Sequence, residues 1–238
     1  MVTEPFFTLL PRTVHALRLV FHILQGFFFF IFDYSLIGIR SLSLFSGVVV
    51  LFLFFILLKK LDFTNLLSFL GMVLLSLDIQ FIYASHFGRQ EIVLMAFMML
   101  GLVLFFSYKD SFRYHRGSLY SGICYGLTAG VHPNGFVIAL PVSFLILLLL
   151  LWRRRQGKDL LLFFLAAGLT ASLFILLSVV MNSEFIREYI AFGTSVGVRT
   201  GFTERLSDFF PFFKKLFLQF SGTYYTTNIR VQLLLLPV

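Results

Sequence analysis

Charge is scarce in this chain. Only 13% of its 238 residues are Asp, Glu, Lys or Arg, while 59% are hydrophobic. A soluble domain cannot cover that much apolar surface with so little charge, so the composition excludes a soluble globule and predicts a polytopic membrane protein. Cysteine is nearly absent: the lone Cys124 excludes an internal disulfide framework and any CxxC metal pair. It lies between Ile123 and Tyr125 and reads as packing. The first residues are polar and mixed and do not read as a cleavable leader. No soluble domain is present to grip a duplex, so the net charge of +8 is no nucleic-acid footprint.

What is present is a series of apolar runs. About 20 residues cross a bilayer core as helix. Ser41–Leu58, Gly135–Trp152 and Leu160–Met181 meet that length well, and Leu66–Ala84 does so with Asp78 interrupting it. Ile92–Phe106 and Ser118–Val131 are shorter, and Arg230–Val238 opens a further run. Thr13–Phe32 carries Arg18 and His22 and reads as an interfacial helix. The fold class expected is all-α: a polytopic transmembrane helix bundle with an interfacial amphipathic segment. Its parts are an outer loop with an interfacial helix (1–35), a bundle of about six spans (36–181), an outer interfacial segment (182–227) and the start of another span (228–238). The stretch 205–220 sets many Phe beside Lys214 and Lys215 and rests at the membrane surface. It reads either as a guide for a lipid-linked substrate or as a plain membrane-resting loop.

Positive charge orients the bundle. Alternate connections carry Lys59 and Lys60, then Lys109, Arg113 and Arg116, then Arg153, Arg154, Arg155 and Lys158. These belong on the cytoplasmic side. "SHFGRQE" (85–91), "HPNG" (132–135), the N-terminal segment and 182–227 then share the outer face. The runs Ile92–Phe106 and Ser118–Val131 rise only about 22 and 21 Å against a core of ~30 Å. Their outer ends should stop below the lipid surface and set Arg89, Glu91, His132 and Asn134 around a recess, unless the boundary is merely thinned. Ser118, Gly122, Gly126 and Gly130 form a small-residue stripe for close helix approach.

Each polar residue there has two readings. Arg89 and Glu91 form a mutual ion pair at a helix start, or Arg89 binds an anionic headgroup with Glu91 orienting it. Asp78, about 10 Å inside its span, is either functional or paired with a neighbouring helix. His86 and His132 match no fixed-spacing metal motif, so no metal ligand is assigned and a capping or hydrogen-bonding role is expected of them. Glu4 is an outer carboxylate able to act as a base, or an idle solvated one.

The ordered runs resemble a known family. "SLIGIRSLSLFSGVVVLFLFFILLKKL" (35–61) is similar to a run in which an Arg and a small residue open the second transmembrane helix. "LLSLDIQFIYASHFGRQEIVLMAFMMLGLVLFF" resembles the third and fourth helices with their Arg-x-Glu/Asp junction. "GSLYSGICYGLTAGVHPNGFVIALP" resembles a glycine-rich fifth helix and its turn. Over about residues 3–181 the chain resembles the glycosyltransferase C superfamily, in the branch of dolichyl-phosphate-mannose-protein mannosyltransferases and aminoarabinose transferases. The resemblance implies inverting transfer of a sugar from a polyprenyl-phosphate donor, the co-substrate, to a protein or glycolipid acceptor on the outer face. Cationic groups or a divalent cation would stabilise the leaving phosphate.

It also implies site residues. Members carry an acidic pair in the first outer loop; Glu4 matches and Thr3 departs from it. Arg89 and Glu91 match the junction, and His132 stands where relatives carry Lys or His. Relatives are roughly twice as long, so the chain is expected to be a fragment, in a plasma or inner membrane rather than the endoplasmic reticulum. The rival readings are a transporter, for which no internal repeat is found, and a structural subunit of a membrane complex.

Overall fold

The structure is a computed structural model that describes residues 16–108, 114–132, 135, 157–188 and 191. Among these every regular element is a helix: α1 Leu19–Phe32, α2 Leu36–Lys60, α3 Asn65–Ser76, α4 Ile79–His86, α5 Gln90–Ser107, α6 Tyr114–Val131 and α7 Gly157–Met181. Three are long and apolar enough to cross a membrane, namely α2, α5 and Leu161–Met181 of α7. The α3–α4 pair makes a fourth if its two arms count as one broken span.

Local chemistry sets the helix ends. The Ser35 hydroxyl accepts from the Gly38 amide (3.0 Å) to start α2, and Lys59 and Lys60 lie in its last turn, where the dipole favours cations. Thr64 caps α3 and Asp78 caps α4, the Asp78 carboxylate accepting from the Phe81 amide at 2.8 Å. The expected span 66–84 is therefore two helices meeting at 66°. Asp78 begins the second of them rather than interrupting one continuous helix.

The apolar windows 92–106 and 118–131 understate their helices, for α5 and α6 each run 18 residues, or about 27 Å. Gln90, Glu91 and the polar first turn of α6 continue the helical hydrogen bonding beyond the greasy stretch. Depth of a recess thus does not rest on truncated crossings.

Packing gives the directions. Ser43 and Gly47 of α2 meet Arg89 and Ser85, while Leu53 and Leu57 cluster with Val103, so α2 and α5 run the same way. α3–α4 runs against α2, with Gly71 near Leu58 and Phe54, and Gly47 near Ser85. α6 runs against α5: Gly101 faces Tyr125 and Cys124, and Gly117 faces Tyr108. The small-residue stripe of α6 faces α7, where a Cβ at Gly122 would lie 2.4 Å from the Phe163 carbonyl oxygen and one at Gly126 2.7 Å from that of Ala167. Those contacts rise together along both helices, so α6 and α7 are parallel. At their first turns the His115 imidazole and the fully buried Asp159 carboxylate pair. The main core joins Phe21, Leu42, Val50, Phe81, Ile92–Leu94, Met98, Tyr125, Val131 and Phe163.

Two compact units result: Leu17–Phe174, and Met1–Ala16 with Ile175–Val238. Within the second, the Ala16 amide donates to Ser178 Oγ at 2.8 Å and Asn182 donates to Glu188 at 2.8 Å. Glu4, Asn134, residues 136–152, the segment 205–220 and the run 228–238 lie outside the described residues.

Candidate functional site

The bundle directions set Arg40, Arg89, Glu91 and His132 at one end of the first unit, opposite Lys59 and Lys60. The α4–α5 turn is built there first. α4 ends at His86, whose Nδ1 lies 2.8 Å from the Ile82 carbonyl and 3.0 Å from Ser85 Oγ. Phe87 follows as its C-cap, and Gly88 takes φ +63°, the left-handed position at which helices commonly end. A Cβ at Gly88 would lie 3.0 Å from Ile39 Cγ2 and 3.1 Å from the Ile39 carbonyl oxygen. Ser43 Oγ donates to the Arg89 carbonyl at 3.1 Å. The turn is thus docked on the first two turns of α2 through backbone on both sides.

Arg89 then opens α5 as its N-cap residue. Its Nε donates to Glu91 Oε2 at 3.1 Å, Nη2 to Glu91 Oε1 at 2.7 Å and Nη1 to the Tyr83 hydroxyl at 3.2 Å. The bond to Glu91, then that to Tyr83, hold the guanidinium above its already high ordinary pKa. The pair is 41% and 46% exposed. Solvent screening at that exposure keeps its worth to about 1 kcal/mol or less. Both oxygens of Glu91 are engaged, so this carboxylate is neutralised where it stands.

His132 ends α6, its amide donating to the Thr128 carbonyl at 3.1 Å and its carbonyl accepting from Gly135 at 2.8 Å. It lies in the electrostatic field of Arg18, Glu91 and Arg89. Burial first, then the Arg18 charge, hold its imidazole below the ordinary value against an opposing pull from Glu91. The structure therefore brings Arg89, Glu91 and His132 together. His86 stays within its own helix turn, and Asp78 sits at the α3–α4 bend.

Two further residues contribute: Arg40, the arginine of the run that opens α2, and Tyr83, which the sequence did not single out. Arg40, exposed on the second turn of α2, holds its guanidinium carbon 5.6 Å from the Phe87 ring centroid. Among the described residues it has no carboxylate partner, so its charge is uncompensated. Tyr83 stacks near Phe87 with centroids 4.7 Å apart and carries Arg89 5.3 Å from its own centroid. No fixed spacing marks them; Arg40 and Phe87 are neighbours only because the turn docks on α2.

A metal ion needs a denser donor set. Among the described residues no group of three His, Cys, Asp or Glu side chains is placed to hold one. His132 and Glu91 do not complete such a set.

The described chain is all-helical, with cationic and carboxylate groups at one end of its apolar bundle. The sequence model of the dolichyl-phosphate-mannose-protein mannosyltransferases matches residues 23–195, most of the chain, and this chain belongs to that glycosyltransferase family. Arg40, Arg89, Glu91 and His132 all lie inside the matched region, and Glu4 lies before it. No protein of curated function and no solved structure matches the chain.

Proposed function

We propose that this end of the bundle binds the phosphate of a polyprenyl-phosphate mannose on the extracytoplasmic face, and that the chain serves transfer of the sugar to a protein or glycolipid acceptor. The observation that carries the reading is the uncompensated guanidinium of Arg40 beside the neutralised Arg89–Glu91 pair. What supports this leaflet is the positive charge of Lys59, Lys60, Arg116 and Lys158, which favours the cytoplasmic side and lies at the opposite ends of α2, α6 and α7.

The chemistry assigns a task to each group. The acceptor hydroxyl oxygen attacks the anomeric carbon while the bond from that carbon to the phosphate oxygen breaks, inverting the centre. The hydroxyl proton goes to a carboxylate, for which Glu4 is the residue the family resemblance offers. The donor phosphodiester carries one negative charge and the departing polyprenyl phosphate carries two. Charge thus grows on the phosphate in the transition state, where a fixed cation lowers the barrier. Arg40 supplies that cation. Arg89 retains N–H donors beyond those given to Glu91 and Tyr83 and orients the phosphate without adding net charge. His132, kept neutral near pH 7, offers the sugar a hydrogen bond without competing for the phosphate.

The test uses the full chain in lipid nanodiscs with radiolabelled polyprenyl-phosphate mannose, reading both retained donor and released polyprenyl phosphate. Arg40→Ala should weaken donor retention about 10- to 150-fold, the worth of a charged hydrogen bond. Wild-type retention by that variant would remove Arg40 from the site. Failure of the unaltered chain to retain the donor would end the reading.

A further inference from the structure

The four side chains Arg89, Tyr83, Phe87 and Arg40 alternate cation, ring, ring, cation, with successive separations of 5.3, 4.7 and 5.6 Å. The two rings lie 32° from parallel. The order follows from the fold rather than from neighbouring positions. Tyr83 and Phe87 are one helical turn apart, Arg89 follows the left-handed Gly88, and Arg40 comes from a different helix.

The two cations are held differently. Arg89 is fixed by three hydrogen bonds. Among the described residues Arg40 has only the Phe87 ring, and that ring is itself 57% exposed. A free arginine side chain samples many rotamers, and a phosphate that captured one would have to order it at the moment of binding. A ring that already holds the guanidinium removes part of that cost. The docked turn makes this ring placement firm, since Gly88 closes on the Ile39 backbone one residue before Arg40.

We infer that Phe87 is a positioning residue: its π face holds Arg40 in place for the donor phosphate, and the Tyr83–Phe87 pair sets the spacing between Arg40 and Arg89. This rests on the donor-phosphate reading above. The contact is electrostatic and its strength follows the electron density of the ring, which sets it apart from a role in filling space. Fluorine withdraws that density at nearly constant shape.

The experiment therefore replaces Phe87 by mono-, di- and trifluorophenylalanine in the full chain, in nanodiscs, with polyprenyl-phosphate mannose as the probe. The dissociation constant should rise stepwise with each fluorine, reaching about two- to five-fold in total, the size of a cation–π contact at an exposed site. Phe87→Trp, whose ring is the better cation partner, should bind at least as tightly as wild type. In an Arg40→Gln background the fluorine series should go flat.

Three outcomes would overturn the inference. A flat fluorine series in the wild-type background, with Arg40→Gln still weakening binding, sinks Phe87 as the holder and leaves the donor-phosphate reading standing. A fluorine trend that persists in Arg40→Gln shows that the ring acts on something other than Arg40. Unchanged binding in Arg40→Gln itself removes both this inference and the role given to Arg40.

Discussion

Gly88→Ala is the sharpest single perturbation of the docked turn. Two costs add. Alanine at φ +63° sits in the left-handed region, which costs an L-residue roughly 1–2 kcal/mol relative to glycine. Its Cβ would also lie 3.0 and 3.1 Å from Ile39 Cγ2 and the Ile39 carbonyl oxygen, and the second of these is backbone that cannot swing aside. Taken together the loss should be about 2 kcal/mol, or roughly 4–8 °C in melting temperature for a chain of this size. The protein carries its own reporter: Cys124 is the one cysteine and is buried. A fluorogenic maleimide will label it only as the bundle opens, so a thermal ramp reads unfolding directly. Gly88→Asn separates the two costs, because Asn tolerates left-handed dihedrals while keeping the same Cβ contact. The expected order of midpoints is Gly above Asn above Ala. Equal midpoints for Asn and Ala would show that dihedral strain is not the cause. An unchanged midpoint for both would refute the docking of this turn on α2.

Three further outcomes follow from the same geometry. Gly122→Leu should push α6 off α7, since even a Cβ there would stand 2.4 Å from the Phe163 carbonyl, and should cost about 1–3 kcal/mol, read as a lower maleimide midpoint. Glu91→Gln should cost about 1 kcal/mol or less in stability, yet tighten donor binding by freeing the charge of Arg89; weaker binding would mean that Glu91 itself touches the substrate. His132 is depressed in the fold, so above its unfolded value of about 6.5 both states are neutral and its stabilising share is complete. As pH falls below that, the unfolded chain takes the proton first, and midpoints should drop towards the folded pKa and then level off. His132→Asn should flatten that slope.

The parts of this molecule that depend on near neighbours could be read from the chain. The apolar run of α2, its basic last turn, and the α6 stripe at every fourth residue each carry a local signature, and each is present as helix end or contact. Asp78 shows how a correct signal can carry the wrong geometry. Its charge inside an apolar stretch was legible, but whether it interrupts one helix or caps a second depends on the backbone angle at Leu77–Asp78. The windows for α5 and α6 ended early because hydropathy stops at Gln90 and Gly117 while hydrogen bonding does not.

The pairs that matter most at the site join residues far apart in sequence. Arg89 with Glu91 was visible because two positions separate them. Arg40 with Phe87, and His115 with Asp159, were not, because only the way α2 receives the α4–α5 turn and the parallel run of α6 and α7 bring them together. An exposed arginine at the edge of an apolar run looks like any interfacial anchor until its ring partner is known.

The 66° bend between α3 and α4 bears on how this protein meets bilayers of different thickness. α3 touches α2 near Leu58 and Phe54, far from the arginines, whereas α4 is seated against Gly47 by Ser85. A straight rod forced to tilt in a thin membrane would drag its far tip sideways. Here the joint at Leu77–Asp78 lets α3 lean with the lipid while α4 keeps its seat, so mismatch is taken up before it reaches the arginines.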